Sequence, residues 1–289
     1  MTADNTVAFQ GKPGAYSHMA CREVHPEMDV LACESFEDVF QAVESGDARL
    51  AMLPIENSLA GRVADVHHLM PQSSLHIVGE HFQRVNHHLL GVSGATIDGL
   101  TAVHSHVQAL GQCRVRLRSL GLTPVTHADT AGAARDISQQ GEKTQGAIAS
   151  ALAGEIYGLD VLQAGFEDGA HNHTRFLILS RDAQMPDQDS GPLITSMIFH
   201  VRSVPAALYK ALGGFATNGV NLTKLESYMI DGSFSAAQFY ADADGHPDDR
   251  LMRLALEELA FFAKEVRVLG TYRAHPYRAE AQKRVAGDD

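Results

Sequence analysis

The chain has 289 residues, 45% of them hydrophobic, and its 23 Lys and Arg against 35 Asp and Glu leave a formal charge of −12. That much apolar material can bury a large core spread over two or three units, whereas the acidic balance argues against nucleic acid, whose phosphates demand concentrated Lys and Arg. No apolar run approaches the roughly 20 residues that span a bilayer, and the opening MTADNTVAFQGKPG lacks a basic segment followed by an apolar one, so a soluble, cytoplasmic protein with no membrane partner is expected.

Short runs rich in Val, Ile and Leu alternate with helical patterns through the first 180 residues. TVAF opens as a strand and is followed by a helix over 15–24, the strand VLAC, a helix over 36–45, the strand LAMLPI and a helix over 62–70. LHIVGE and HHLLGV, joined by QRVN, read as a crossover from one lobe to another. LTAVH, a helix over 106–120, TPVT, a helix over 129–139, GAIAS, a helix over 150–157 and TRFLILS complete the series. This alternation predicts an α/β fold with largely parallel strands, and two lobes imply a cleft. The polar, proline-bearing stretch at 181–192 reads as a linker. Beyond it LITSMIFHV, a helix ended by Gly219, VNLTKLESYMI, SFSAAQFYADA, the helix DDRLMRLALEELAFFA and EVRVLGTY give the order βαββαβ, a ferredoxin-like unit over 193–275. Edges at MIFHV and NLTKLESYM should not stay bare, which predicts a homodimer or homotetramer. The charged tail, 276–289, is expected to fray.

Polar residues gather where these strands end. GKPGAYS sets Gly14 ahead of a helix that begins with Ala15, Tyr16 and Ser17, where backbone amides can approach an anion; a plain tight turn reads equally well. LPIENSLAGRV places Glu56, Asn57 and Ser58 at a carboxyl edge, where α/β sheets bind ligands, although Asn57 or Ser58 could serve only as a helix cap. VHSHVQALGQC repeats the arrangement with Ser105, His106 and Gln108, while His104 also reads as a core histidine. In EDGAHNHTRFLILS, alternation puts Asn172, Thr174 and Phe176 on one face and His173 and Arg175 on the other. Arg175 is then either a substrate clamp or a structural residue set against a carboxylate such as Asp168. Several such strand ends converging suggest a polar cleft. The histidine pairs His67-His68, His87-His88, His104/His106 and His171/His173 lack an HExxH spacing, so no metal is assigned. Cys21, Cys33 and Cys113 lack CxxC spacing and read as reduced thiols.

Taken in order, GKPGAYS, PIENS, HSHVQALGQC and HNHTRFLIL resemble the prephenate dehydratase family, and residues 193 to about 273 resemble the ACT regulatory domain appended to it. The resemblance implies a two-lobed catalytic domain over 1–180, similar to type II periplasmic binding proteins, that needs neither metal nor organic cofactor. It implies decarboxylative dehydration of prephenate to phenylpyruvate, a step of L-phenylalanine biosynthesis. Thr174, Arg175 and Phe176 match the family's Thr-Arg-Phe signature, and Glu56 and Asn57 join them as catalytic residues. Threonine is too weak an acid to be a free proton donor, so Thr174 is expected to give the leaving oxygen a directed hydrogen bond. Neutral donors at Gly14, Ala15, Tyr16, Ser17, Ser58, Ser105, His106, Gln108 and Asn172 are expected to hold the substrate. Arogenate dehydratase and a non-enzymatic amino-acid or keto-acid sensor are the alternatives.

The ACT resemblance implies L-phenylalanine as effector, bound at a subunit interface by a Gly-Ala-Leu turn and a Glu-Ser-Arg-Pro segment. Here those positions read Ala206-Ala207-Leu208 and Glu226-Ser227-Tyr228-Met229. The first change adds a methyl where backbone approaches the ligand, and the second removes a guanidinium. Ala207, Leu208, Asn218, Asn221, Leu222, Glu226 and Ser227 are the expected effector residues.

Overall fold

The structure, a computed structural model, describes residues 2–169, 171–202, 204–229 and 236–286. It forms two compact units, Met1–His67 with His81–Phe176 and His68–Glu80 with Leu177–Asp289.

The chain begins β1 (Thr6–Gln10), α1 (Tyr16–Val24), β2 (Asp29–Cys33), α2 (Phe36–Ser45), β3 (Leu50–Asn57), β4 (Gly61–Arg62) and α3 (Ala64–Leu69). β1 lies between β2 and β3, parallel to both. Val7, Ala8 and Phe9 of β1 and Ala51, Met52 and Leu53 of β3 are wholly buried, as parallel strands covered on both faces require. Ser35 starts α2 with a capping box, its hydroxyl accepting from Asp38 N and its own N–H donating to Asp38. β5 (His76–Arg84) and β11 (His173–Ser180) complete this sheet, in the order β2-β1-β3-β11-β5 with β4 beside β3.

Between them run β6 (His88–Gly91), β7 (Ala102–His106), α4 (Val107–Gln112), α5 (Arg114–Ser119), β8 (Thr123–His127), α6 (Thr130–Gln140), β9 (Gln145–Ala149), α7 (Ala151–Tyr157) and β10 (Asp160–Gln163). Their sheet has the order β10-β6-β9-β7-β8. β7 is parallel to β8 and β9, while β6 is antiparallel to β9 and β10, so the strands that enter and leave this sheet depart from the parallel pattern. Two short strands, β4 and β10, carry too few residues to show periodicity. The helix expected over 106–120 is two helices. Asp168 accepts from Val115 N and Arg116 N at 2.8 and 3.1 Å, capping α5 from more than 50 residues away in sequence.

The second unit contains β12 (Leu193–Val201), α8 (Ala207–Thr217), β13 (Leu222–Met229), β14 (Ala236–Asp244), α9 (Arg250–Phe262), β15 (Ala263–Arg273) and α10 (Tyr277–Ala286). Its antiparallel sheet, β13-β14-β12-β15, is the ferredoxin-like order. Met197, Phe199, Phe215, Phe239, Met252 and Leu259 build the core under α8 and α9. Two sequence expectations are corrected here. MIFHV is no edge, because β12 is paired on both sides by β14 and β15. The segment expected to fray is helical from Tyr277, held by Arg278, whose guanidinium meets Glu80 at 2.6 and 2.9 Å. Residues 68–80 belong to this unit for a related reason. Arg267 donates to Ser73 O and Met70 O at 3.0 Å, and β15 passes so near Ile77 that a Cβ on Gly270 would fall on the Ile77 carbonyl.

Candidate active site

Within the first unit a cavity of about 530 Å³ opens among β1, α1, β3, β11, α4 and the start of α6. The turn before α1 forms one wall. Gly14, with φ +90°, has its carbonyl bonded by Ser150 Oγ at 2.5 Å. A Cβ there would come within 2.7 Å of Ala153 Cα, so only glycine fits both the dihedral and the space. Its N–H donates to His18 Nδ1 at 3.0 Å, and Ala15 N donates to Lys12 O. These two amides are therefore taken up by the turn itself. Tyr16 and Ser17 line the cavity, and the amides of a helix's first turn have no partner within the helix. Burial lowers the His18 pKa, which keeps the Nδ1 lone pair available to Gly14.

Asn57 closes an Asx turn, its Oδ1 accepting from Leu59 N and Ala60 N at 3.0 and 2.9 Å. That fixes its amide group toward Thr174 Oγ1 at 3.0 Å and Asn172 Oδ1 at 2.7 Å. Asn57, Asn172, Thr174 and Phe176 all line the cavity, as do Ala15, His106 and Gln108. His106 also caps α4 through Gln108 N.

Besides Gly14, which is not among the lining residues, four expected residues lie elsewhere. Arg175, 2% exposed, pairs with Glu56 at 3.1 Å, and neither lines the cavity. The carboxylate beside Arg175 is thus Glu56, since Asp168 is engaged as the α5 cap. Ser58 ties its turn to the start of β11, donating to His171 O at 3.2 Å and accepting from His173 N at 3.0 Å. Ser105 is fully buried with its hydroxyl on Ile148 O. His104 donates to Gln145 Oε1 at 2.8 Å.

Three of the lining residues that sequence reasoning did not assign bear on the chemistry. Arg62, on β4, is the single Arg or Lys among them. Gln112 accepts from Asn172 Nδ2 at 2.8 Å and lies 2.7 Å from His87 Nε2. Tyr16 Oη reaches the other side of the His87 ring at 2.8 Å. The signals existed, since Arg62 follows PIENS and Gln112 shares a face with Gln108, but His87 was visible only as half of a histidine pair. Among the described residues no group of three or more His, Cys, Asp or Glu is arranged to hold a metal.

In the second unit the expected effector residues have local duties. Leu208 and Leu222 pack on the core. Asn218 donates to Gly214 O and Glu258, Asn221 donates to Asp244, and Glu226 meets Lys224 at 3.1 Å. Ser227 is exposed on β13, and Ala207 begins α8. Ala206, ahead of it, holds a left-handed conformation with φ 59°.

The family profile for prephenate dehydratase matches residues 7–184. A bifunctional N-acyl-homoserine lactone acylase/prephenate dehydratase from Komagataeibacter europaeus is 50% identical over 96% of this chain and 99% of its own length. An arogenate dehydratase/prephenate dehydratase of Arabidopsis thaliana chloroplasts is 41% identical over 92% of this chain and 71% of its own. The crystal structure of an Arthrobacter aurescens prephenate dehydratase in complex with L-Phe superposes with a TM-score of 0.85 at 26% identity, covering 98% of each chain. With a cavity walled by the Thr174–Asn57 pair and these relatives along nearly its whole length, the chain belongs to the prephenate dehydratase family.

Proposed function

We propose that this protein converts prephenate to phenylpyruvate, and the observation that carries the reading is the orientation of Thr174. Because Thr174 Oγ1 accepts from an Asn57 amide that cannot turn over, its own hydrogen is left for a ligand in the cavity. The chemistry needs little more. As the bond to the ring carboxylate breaks, its electron pair enters the ring, the C4–O bond breaks, and the oxygen departs with one added proton as water. Aromatisation drives the step, so the protein has to hold the ring, fix two carboxylates and stabilise the departing oxygen. Arg62 supplies a guanidinium for one carboxylate, and the amides opening α1 suit the other.

Purified protein should turn over prephenate in chelated buffer without added cofactor, and Thr174→Ala should lower kcat by about 10²–10³-fold with a smaller change in KM. No turnover of prephenate or arogenate by a folded sample would sink the reading. Assays with both acids decide the substrate, since relatives carry both names.

The Komagataeibacter relative supports a second reading, N-acyl-homoserine lactone cleavage. A cysteine nucleophile does not suit it, because burial pushes the Cys21 thiol up to about 12 and raises that of Cys113 as well. Release of free homoserine lactone tests it directly, and Thr174→Ala tells whether both activities share one cavity.

For the second unit we infer an ACT-type role, L-phenylalanine binding and self-association. The relative solved in complex with L-Phe supports the first. Calorimetry with phenylalanine, against tyrosine as control, should show binding; if neither millimolar amino acid binds nor alters the rate, the unit serves assembly alone.

A further inference from the structure

The hydrogen bonds around Asn57 can be followed outward until hydrogens run short. Since Asn57 presents its NH₂ to Asn172 Oδ1, Asn172 must present its own NH₂ to Gln112 Oε1. The same Gln112 oxygen lies 2.7 Å from His87 Nε2, and a carbonyl oxygen only accepts, so Nε2 carries hydrogen. On the far side of the ring, Nδ1 lies 2.8 Å from Tyr16 Oη, which is also 2.7 Å from Asn86 O. A neutral imidazole leaves the phenol's single hydrogen to serve both contacts, and one of them must then set lone pair against lone pair. One more proton, on Nδ1, completes both: Nδ1–H donates to Oη, and Oη–H donates to Asn86 O.

Tyr16 and His87 both line the cavity. We propose that this pair stores the proton which the dehydration consumes, Tyr16 passing it to the leaving oxygen and His87 resupplying Tyr16. The inference rests on the dehydratase reading above. In balance, Oη–H turns from Asn86 O to the leaving oxygen, the C4–O bond breaks with its electron pair on oxygen, that oxygen takes the Oη proton and leaves as water, and the Nδ1 proton crosses to Oη. His87 ends neutral and regains a proton from solvent before the next turnover. No phenolate is left behind, as suits a tyrosine whose ionisation is disfavoured first by burial and then by the Glu167 carboxylate. The charged and titratable groups around His87 pull both ways. Burial and His88 disfavour the imidazolium, whereas the bond to Gln112 and the carboxylate of Glu167, which accepts His87 N at 2.9 Å, favour it. Cys113, its thiol raised by burial, stays uncharged nearby. Burial outweighs the rest and lowers the His87 pKa; the hydrogen-bond chain opposes this, because it starts from an Asn57 amide held by the backbone N–H groups of Leu59 and Ala60.

The test uses the full chain with ¹⁵N-labelled histidine rings, the His87 signals assigned by their loss in His87→Gln. Both ring nitrogens should carry hydrogen at the acid end of the activity range, and Nδ1 should lose its proton over the pH interval in which kcat falls. Tyr16→Phe should lower kcat about 100-fold with KM little changed. His87→Gln should flatten the alkaline fall of kcat, which a merely structural role would not do. If His87→Gln fails to fold, Tyr16→Phe, which removes one oxygen, carries the kinetic arm. A ring neutral at Nδ1 throughout the active range, or wild-type kcat in folded Tyr16→Phe, overturns the proposal. Absence of wild-type turnover counts against the dehydratase reading instead, and the ring titration still decides whether the pair holds the proton.

Discussion

Arg175 adjoins Thr174 in sequence and serves a different purpose. Strand alternation turns it off the cavity and onto Glu56, where its burial makes it a structural ion pair. Arg175→Ala should cost about 3 kcal/mol of stability in urea denaturation, with kcat of the folded fraction within about twofold of wild type. A kinetic defect with unaltered stability would instead make Arg175 a substrate clamp. Ala206 poses the opposite case, a residue whose backbone asks for another amino acid. A left-handed alanine costs roughly 1–2 kcal/mol over glycine, so Ala206→Gly should stabilise the protein by about 1 kcal/mol and raise Tm by a few degrees. A lowered Tm would mean that the methyl contributes packing outweighing its strain.

Among the elements, α10 shows why charge alone misleads. PYRAEAQKR, from residue 276, reads as solvated tail, yet Arg278 meets two carboxylates, Glu80 and Asp242, whose side chains are fully buried. Removing the cation takes a charge partner from both, and breaking such a pair costs about 3–5 kcal/mol. Arg278→Ala, followed by chemical denaturation, should show a loss of that size; stability equal to wild type would reduce α10 to an ornament of the surface.

At the scale of the whole molecule, pH and assembly are the accessible tests. Burial lowers the pKa values of His18, His25, His81 and His88. Below about pH 6.5 the unfolded chain therefore binds protons that the folded one refuses. Stability should be intact above that pH and decline as pH falls toward 5, until the folded histidines also protonate; equal denaturation midpoints at pH 7.5 and 5.0 would contradict it. β13 ends its sheet with one side unpaired by the described strands, and Tyr209 of α8 and Phe261 of α9 are 81% and 71% exposed. A homodimer is the expected species, and sedimentation at 31.2 kDa alone in micromolar solution would refute it.

Periodicity by itself determined most of the elements and the ferredoxin-like order of the second unit, because a buried strand or an amphipathic helix must repeat its apolar residues at the spacing of its own backbone. The glycine turn, PIENS and Thr174-Arg175-Phe176 were legible too, since turn chemistry and alternation are local. What only the tertiary structure decided lies at long sequence separation. Glu56 finds Arg175 across 119 residues, Asp168 caps a helix 53 residues back, and Glu80 anchors Arg278 across 198. Gly14 owes its identity to Ala153. His87 has no local signature at all: its role depends on Gln112 and Tyr16, and hydrogen-bond partners drawn from separate elements leave no period or spacing in the chain, because each is placed by the packing of its own element and they meet only when all are folded.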